Sequence, residues 1–438
     1  MTISGSRLLK LLNDFILEME RGLAGEESSI KMIPSYVAAL PDGDETGDFF
    51  AIDLGGSNLR VVSISLRGKS APPLIREHKE VIPDAIQKGS GAELFAFIAN
   101  LVKAAAPPPG AKLGFTFSFP CAQTALDSGT LIHWTKGFQA AGVVDKDVVG
   151  LLRRALDDAG VDVEVSALVN DTVGTLMAKA YSDPRCRIGV ILGTGTNGAY
   201  VERAAGIPKW TGSREGFQVI NMEWGGFGSG EMGRSLLPVA GIDSKLDALS
   251  PNPTKQRYEK MISGMYLGEL FRLSLAELTS KGVLEWGESN AVPAESILKH
   301  PWQFGTDLMA RIGACVRCCS VDSSDSLGDI KEVFDTKCNV DTTHATRLVI
   351  KEVCECVAKR AARLAAVGVA GCVSKMGPDA GDCVAGIDGS VFLRYPQFSS
   401  WMREALTEIG VSCHLEEASD GSGLGAAVIA SVATKSRL

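Results

Sequence analysis

The hydrophobic residues near the start of the chain follow the spacing of one face of a helix, and Gly22 and Gly25 close the segment. This one-sided pattern predicts an amphipathic N-terminal helix that packs by a single face. The residues on that face are Leu8, Leu12, Phe15, Ile16, Met19 and Leu23.

Short apolar runs alternate with helical patterns over the rest of the first half. The runs at 49–54 and 59–66 flank a glycine-containing turn and predict a β-hairpin. The first half as a whole predicts strands at 49–54, 59–66 and 75–82, a helix at 95–102, a strand at 112–119, a helix near 146–158 and a strand near 161–169.

The second half repeats this theme with a hairpin whose strands, 188–192 and 198–202, flank a Gly/Thr turn. Two such hairpins, one in each half, indicate two related α/β domains that face each other across a cleft. We expect these domains to span 1–185 and 186–438. The remaining pattern predicts helices near 254–280, 303–319 and 345–368, a strand at 383–387, a helix at 402–409, a strand at 411–415 and a closing helix at 425–432.

Composition narrows the class of protein. The chain has 438 residues, 45% hydrophobic and 22% charged, which favours two globular domains over one. Its net charge of -8 comes without a basic stripe, and this argues against nucleic acid as a partner. We expect no membrane span, because no apolar run is long enough, and no secretory signal, because the first residues lack an apolar core.

The chain has 11 scattered cysteines, and their only clusters lie at 315–319 and 354–356. Such clusters indicate either a zinc or redox site or buried, reduced thiols. A structural zinc site usually repeats its paired ligands at tight spacing or adds a His pair, and the sequence has neither. The pattern therefore favours buried, reduced cysteines.

The last three residues, Ser436, Arg437 and Leu438, differ from the Ser-Lys-Leu peroxisomal address by one change that keeps the charge. Two locations stay open on this pattern. One is the cytoplasm, with an ordinary tail, and the other is a peroxisome-like organelle such as the glycosome.

The turn of the first hairpin, within 53–60 (DLGGSNLR), places glycines after an acidic strand end. Glycines let backbone N–H groups approach an anion closely, and Asp53 suits such a phosphate site if Mg²⁺ or its water shell lies between the charges. The alternative is a plain hairpin turn with solvated polar residues. The candidate phosphate residues are Asp53, Gly55, Gly56, Ser57, Asn58 and Arg60, with Asp53 also the candidate metal residue, through water.

The turn of the second hairpin supplies hydroxyls and flexible backbone and can hold a phosphate in the same way. No Gly-Lys-Ser/Thr follows either turn, so neither is a Walker loop. Small residues at 420–427 open the closing helix, where they permit either a ligand at the helix N-terminus or close helix packing. The candidates are Gly193, Thr194, Gly195 and Thr196 in the turn, and Asp420, Gly421, Ser422 and Gly423 at the helix.

Three segments, 115–121, 134–138 and 170–175, combine apolar residues with single polar groups. A pocket for a polyhydroxylated ligand needs this combination, since it requires fixed donors and acceptors on rigid elements. Asp171 lies where a strand ends and a helix begins, so helix capping is the alternative to a chemical role. Glu223 and Glu259 are two further acids able to accept hydroxyl protons.

These segments resemble the signatures of the eukaryotic hexokinase family, in the same order, from about residue 10 to 434. The segments that show this resemblance are 114–120 (GFTFSFP), 131–138 (LIHWTKGF), 170–175 (NDTVGT) and 259–269 (EKMISGMYLGE). The resemblance implies an α/β, two-domain actin-like ATPase fold whose interdomain cleft closes around its ligands. It also implies a single catalytic unit that transfers the γ-phosphate of ATP, with Mg²⁺, to the 6-hydroxyl of glucose and related hexoses such as mannose and fructose, the first step of glycolysis.

The resemblance also implies residue roles. Asp171 would take the proton of the sugar hydroxyl, and Lys136 would keep Asp171 ionised. The adenosine side would be formed by Asp388, Gly389 and Ser390 together with 420–425. The sugar ligands would be Ser118, Thr135, Lys136, Asn170, Asp171, Asn197, Glu223 and Glu259.

The chain departs from the family pattern on the nucleotide side. Ser57 and Leu59 stand for a usual Thr and Phe, Gly198-Ala199-Tyr200 for Ala-Cys-Tyr, Ser390 for Thr and Leu424 for Lys. None of these changes removes a sugar ligand or the base. A catalytically weak or silent glucose sensor of the same fold is the alternative function, and the intact Asp171 and both phosphate turns argue against it.

Overall fold

The computed structural model describes residues 3–55, 58–135, 137–230, 236–287, 291–315, 327–418 and 420–435. The strands of this part of the chain are β1 (Ile33–Pro34), β2 (Thr46–Leu54), β3 (Asn58–Arg67), β4 (Leu74–Val81), β5 (Ala111–Phe117), β6 (Cys121–Ala125), β7 (Ser128–Leu131), β8 (Val163–Val169), β9 (Cys186–Leu192), β10 (Thr196–Arg203), β11 (Phe217–Asn221), β12 (Val384–Asp388) and β13 (His414–Glu417).

The helices surround these strands and increase in number towards the C-terminus. They are α1 (Gly5–Ala24), α2 (Asp84–Lys88), α3 (Gly91–Ala104), α4 (Val148–Asp158), α5 (Asp171–Ser182), α6 (Gly241–Leu249), α7 (Arg257–Ile262), α8 (Gly264–Ser280), α9 (Thr306–Ala314), α10 (Gly328–Val333), α11 (His344–Met376), α12 (Ser390–Arg394), α13 (Phe398–Glu408) and α14 (Gly421–Lys435).

Two sheets share one plan. The five-stranded sheet has the order β4-β3-β2-β5-β8, and five of the six strands of the larger sheet have the order β11-β10-β9-β12-β13. In each of these orders, the first three strands run antiparallel to one another in turn, and the last two strands run parallel to the third. The repeated α/β theme predicted from the two hairpins is therefore confirmed as a repeated sheet topology.

The strands at the centre of the two sheets are covered on both faces. Residues 49–52 of β2 are buried without a break, as are 188–190 of β9. Continuous burial is what a strand between two helical layers requires, and the uninterrupted apolar runs of the sequence reflect it. The polar residues of these strands are displaced to their ends, where they meet the turns.

Helix α1 packs by the single face that its pattern predicted. Phe15 and Met19 are fully buried, and the ring of Phe15 lies 4.9 Å from that of Phe227. A side chain in place of the hydrogen of Gly371, in the long helix α11, would collide with Phe15. The N-terminal helix is thus part of the core around the six-stranded sheet.

Helix α14 covers the other sheet. Its apolar residues share a core with β2, β3, β8 and α5. Gly425 of α14 lies directly on the backbone of Gly174 in α5, and a methyl group at either glycine would collide with the other helix. Close helix packing, one of the two readings of the small residues at 420–427, is confirmed for this part of the motif.

One predicted helix is wrong. The segment 254–280 forms two helices, α7 and α8, because Ser263 between them is extended (φ -96°, ψ 155°). The break lets Gly264 donate its N–H to the carbonyl of Gly193 at 2.8 Å, a contact that a continuous helix would prevent. Tertiary contact with the second hairpin therefore outweighs local helix propensity.

The pattern also overlooked elements that the structure contains, among them the hairpin β6–β7, strand β11 and helix α6. No helix in the described ranges is both long and apolar enough to cross a membrane. The division of the chain at residue 185 stays a prediction, and the packing of α1 and α14 shows that both ends of the described chain cross to the sheet of the other half.

Candidate active site

The end of β8 and the start of α5 place the candidate base. Asn170, not Asp171, is the N-cap of α5, because its Oδ1 accepts the N–H of Thr172 at 3.0 Å. The expectation that Asp171 caps the helix is therefore corrected. Asp171 is the first helical residue, and its Oδ1 also accepts the N–H of Thr172, at 2.9 Å.

Four polar side chains from both halves of the chain meet next to Asp171. Asn197 Nδ2 lies 3.5 Å from Asn170 Oδ1, 2.8 Å from Asn221 Oδ1 and 3.3 Å from Glu223 Oε1. Asn221 Nδ2 in turn donates to Glu223 Oε1 at 3.0 Å. We call these four residues the amide–carboxylate cluster, and it unites three of the predicted sugar ligands.

Trp224 packs beside this cluster and contacts Asn197. The side chain of Trp224 lies between Gly198 and Gly368, where a methyl group on either glycine would collide with the indole. The backbone N–H of Trp224 donates to Asn197 Oδ1 at 3.4 Å, and that of Gly198 donates to the same oxygen at 2.7 Å. Glycine at 198, where the family pattern has alanine, thus makes room for the indole.

Glu259 approaches the second turn from α7. Its Oε2 accepts the backbone N–H of Thr196 at 3.0 Å, and a methyl group at Gly195 would lie 2.9 Å from the same oxygen. Gln256, at the start of α7, points its buried Oε1 towards Gly225, and this oxygen has no partner among the described residues. Sequence reasoning missed Gln256, although it lies in the segment that contains Glu259.

The remaining sugar candidates lie on the five-stranded sheet side. Ser118 is 7% exposed and donates its backbone N–H to Leu54, and its hydroxyl packs against Gly55 of the first turn. Thr135 is half-buried beside Trp134, whose ring stacks on that of Phe138. Lys136, the predicted partner of Asp171, lies outside the described residues.

Cys121 at the start of β6 is close to the cluster. Burial, followed by the charges of Glu223 and Asp147, raises the pKa of the Cys121 thiol to about 12. The thiol is therefore neutral at pH 7. Its sensitivity to Glu223 indicates that β6 borders the amide–carboxylate cluster.

The first turn is held by a network of charged side chains. Arg60 donates to Asp53 Oδ2 through Nε at 3.0 Å and Nη2 at 2.9 Å, and also reaches Asp420 Oδ1 at 3.0 Å. Ser422 Oγ donates to Asp53 Oδ2 at 2.7 Å. Asp53, Arg60, Asp420 and Ser422, which were predicted separately, are therefore one connected group, whereas Gly56 and Ser57 lie outside the described residues.

The second turn is held by backbone hydrogen bonds. The carbonyl of Thr194 accepts the N–H of Met265 at 3.1 Å, in addition to the contact of Gly193 with Gly264. The hydroxyl of Thr196 faces inward, where it donates to Ile191 O at 2.9 Å and accepts from Trp224 Nε1 at 3.0 Å. Thr194, in contrast, is exposed.

Asp388 ends β12 beside this turn. Its Oδ1 accepts the N–H of Gly389 at 2.6 Å, and Ser390 opens α12 in an exposed position. Burial, with the charges of Asp171 and Asp420 added, raises the pKa of Asp388 above its ordinary value of 3.8. Asn170, Asn197 and Glu223 thus lie together next to Asp171, whose charge also acts on Asp388.

Comparison with known proteins identifies the family. Two sequence models of the hexokinase family match residues 1–181 and 187–432. The chain belongs to the hexokinase family. Membership makes it an ATP-dependent hexose phosphotransferase, as its motifs implied.

Relatives and solved structures match this chain over nearly its whole length. Hexokinase-2 of Oryza sativa subsp. japonica is 42% identical over 98% of this chain and 89% of that relative. Hexokinase-2 of Arabidopsis thaliana is 43% identical, over 97% and 86%. A hexokinase from Schistosoma mansoni complexed with glucose superposes with a TM-score of 0.86 at 37% identity, over 98% of this chain and 96% of that one. The predicted actin-like fold with its cleft is thereby confirmed.

Members of this family use ATP with Mg²⁺, an ion that binds oxygen ligands. No group of three His, Cys, Asp or Glu side chains in the described ranges is arranged to hold a metal on its own. Mg²⁺ commonly binds through one or two carboxylates, waters and substrate phosphates, not in an all-protein cage. Asp53 and Asp388, which are half-buried carboxylates beside the two turns, fit a metal carried by the nucleotide.

Proposed function

We propose that this chain transfers the γ-phosphoryl group of Mg-ATP to the 6-hydroxyl of glucose, with Asp171 as the general base. The observation that carries the proposal is the meeting of both halves of the chain at Asp171. Asn170 and Asn197 approach to 3.5 Å there, and the charge of Asp171 acts on Asp388 at the end of β12. A hexose on the cluster would therefore lie beside the base and the nucleotide turns.

The sugar would be held by neutral amides and carboxylates on rigid elements. Hydroxyl groups need donors and acceptors in fixed positions, and a site built in this way rejects ligands that leave its polar groups unpaired. Mannose and fructose, which share most hydroxyls with glucose, are the further substrates we propose. The proposed ligands are Ser118, Thr135, Lys136, Asn170, Asp171, Asn197, Glu223 and Glu259, to which the structure adds Gln256 as a candidate.

Asp171 would accept the hydroxyl proton while the bond between oxygen and phosphorus forms. Its carboxylate lies in the first turn of α5, next to Asn170 of the amide–carboxylate cluster. A general base contributes typically about 10²- to 10⁴-fold to the rate, and phosphoryl transfer otherwise depends on positioning and charge neutralisation. Lys136 would assist by keeping Asp171 ionised.

The two turns would position the nucleotide. Gly193, Thr194 and Gly195 would offer their backbone, and exposed Thr194 its hydroxyl, to the phosphates, whereas the buried hydroxyl of Thr196 favours a supporting role. Arg60, Asn58 and residues 55–57 would contact the phosphates from the other side. Bound Mg²⁺ would neutralise phosphate charge, with Asp53 reached through water. The adenosine would lie between residues 388–390 and 420–423.

The test is a coupled assay of ADP release with purified protein, Mg-ATP and glucose. We expect hexose-dependent ADP release, and a fall in kcat of about 10²- to 10⁴-fold in Asp171→Ala, with unchanged thermal unfolding. Asp183→Ala, at the other end of α5, is the matched control and should keep full activity.

Two outcomes would overturn parts of the proposal. A nearly full kcat in Asp171→Ala would remove the base assignment. A wild-type protein that binds glucose but releases no ADP with any hexose would favour the silent sensor. The location, in the cytoplasm or in a peroxisome-like organelle, stays a prediction, because residues 436–438 lie outside the described residues.

A further inference from the structure

Asn221 is the residue of the amide–carboxylate cluster that the sequence did not single out. It ends β11, pairs with Ile33 and Ala199 in the six-stranded sheet and is 5% exposed. Its backbone position is therefore set by the sheet, and its side chain points into the cluster from a rigid base.

The side chain of Asn221 joins two proposed sugar ligands. Its Oδ1 accepts from Asn197 Nδ2 at 2.8 Å, and its Nδ2 donates to Glu223 Oε1 at 3.0 Å. An amide has one accepting and one donating end, so only one orientation of Asn221 satisfies both neighbours. Neither alanine nor an acid could make both contacts.

The two ligands need such support. The N–H groups of Gly198 and Trp224 hold Asn197 Oδ1, and Asn221 Oδ1 holds the other end of the amide by accepting from Nδ2. Glu223 has left-handed backbone geometry (φ 55°), a strained conformation for a non-glycine residue. A strained residue keeps one geometry only where its surroundings impose it, and Asn221 bonds directly to its carboxylate.

We propose that Asn221 is a positioning residue that sets Asn197 and Glu223 for the hexose. This inference rests on the proposed function, because it assigns those two residues to sugar hydroxyls. Asn221 acts through them and not by contact with the phosphates. Its loss should therefore weaken hexose use and leave nucleotide use intact.

The first experiment compares Asn221→Ala with wild type in the coupled assay. A hydrogen bond to a charged group contributes roughly 1.5–3 kcal/mol, so we expect KM for glucose to rise about 10- to 100-fold. KM for ATP should change less than about twofold, within the spread expected for a site that is not touched. Gln218→Ala is the matched control, since Gln218 is also a buried amide on β11, 5% exposed, and should leave both KM values unchanged.

A double-mutant cycle separates positioning from general loss of stability. If Asn221 acts through Glu223, Asn221→Ala should lower kcat/KM for glucose far less in a Glu223→Ala background than in wild type. A role in stability alone would give independent, multiplicative losses. Asn221→Asp keeps the shape and the acceptor but removes the donor to Glu223, and it should also raise KM for glucose if Asn221→Ala fails to fold.

Unchanged KM for glucose in folded Asn221→Ala or Asn221→Asp would overturn the inference, as would equal increases in KM for glucose and ATP. Both results require an active wild-type enzyme. Absence of hexose-dependent ADP release in wild type would instead count against the proposed function, so the two failures are distinguishable.

Discussion

The two hairpin turns occupy equivalent places in sheets of the same topology, yet they are held in different ways. The first turn is tied by side-chain charges, because Arg60 bridges Asp53 of β2 to Asp420 before α14. The second carries no charge between 193 and 198. Backbone hydrogen bonds tie it to the start of α8, and the N–H of Thr196 donates to the Glu259 carboxylate from α7.

This difference predicts two kinds of sensitivity. A turn held by charges depends on ionisation and on single side chains, and its geometry can change when a partner charge is lost. A turn held by backbone contacts depends on how closely two chain segments approach, and therefore on glycine. The following predictions test each mode of support, beginning with the largest expected effect.

The backbone-tied turn should fail most severely in Gly389→Ala. Gly389 has φ 117°, and a methyl group there would lie 2.6 Å from the backbone nitrogen of Gly193. Strain and overpacking together should cost roughly 2–6 kcal/mol of the free energy of unfolding. Chemical denaturation measures this loss, and KM for ATP should rise in any folded fraction.

Gly381→Ala is the matched control for that prediction. Gly381 also has positive φ, 50°, but its methyl group would meet no atom within 4 Å. Its loss of stability should therefore be limited to the backbone strain, about 1–3 kcal/mol, with KM for ATP unchanged. Equal effects of the two substitutions would show that close approach to the second turn is unimportant.

The charge-tied turn should respond to Arg60→Ala. This change leaves the half-buried carboxylates of Asp53 and Asp420 without their shared cation, which should cost about 1–3 kcal/mol after allowance for partial exposure. KM for ATP should rise more than KM for glucose, as steady-state kinetics would show. Arg60→Lys keeps the charge but not the forked contact, so it should recover only part of the loss.

Arg185 supplies a control on the surface. It is also paired with two aspartates, Asp183 and Asp382, but lies away from the turns. Arg185→Ala should leave both KM values unchanged. A similar rise in KM for ATP in this variant would contradict a specific role for the Arg60 network.

The smallest effect concerns pH. Burial, with the charges of Asp171 and Asp420, raises the pKa of Asp388 in the folded protein above the ordinary 3.8. Below pH 3.8 the group is protonated in both states and costs nothing, and the cost of ionising it in the folded state appears as pH rises through the raised pKa. Asp388→Asn removes that cost.

The difference in melting temperature between Asp388→Asn and wild type should therefore be most favourable to the variant at pH 7 and should shrink as pH is lowered towards 3.8. Thermal unfolding followed by circular dichroism at several pH values measures it. A difference that grows on acidification would contradict the raised pKa.

The sequence allowed the two Gly-rich hairpins, the start of α5 and most strands to be predicted, because their signals are local. Apolar runs such as 49–54 and the strand-to-helix junction at Asn170 can be recognised from neighbouring residues alone. The break at Ser263 could not be predicted in this way. It lets the N–H of Gly264 donate to the carbonyl of Gly193, which is distant in the sequence.

The candidate site shows the same limit. Resemblance to a family named the residues, and the structure showed how they are supported. Asn221 stands two residues before Glu223, but its role depends on a contact with Asn197 that no spacing rule reveals. The inward direction of the Thr196 hydroxyl could not be predicted either, because its partner Trp224 lies on another segment of the chain.

The position of α14 has a consequence for the order in which the protein is made. The ribosome releases β2, β3, β8 and α5 long before it releases the helix that completes their core. Until then, Val62, Val169 and Val173 lack the cover that they have in the finished protein. The first sheet can therefore reach its full stability only late in synthesis, and its nascent form is a natural client for chaperones that bind exposed apolar surface.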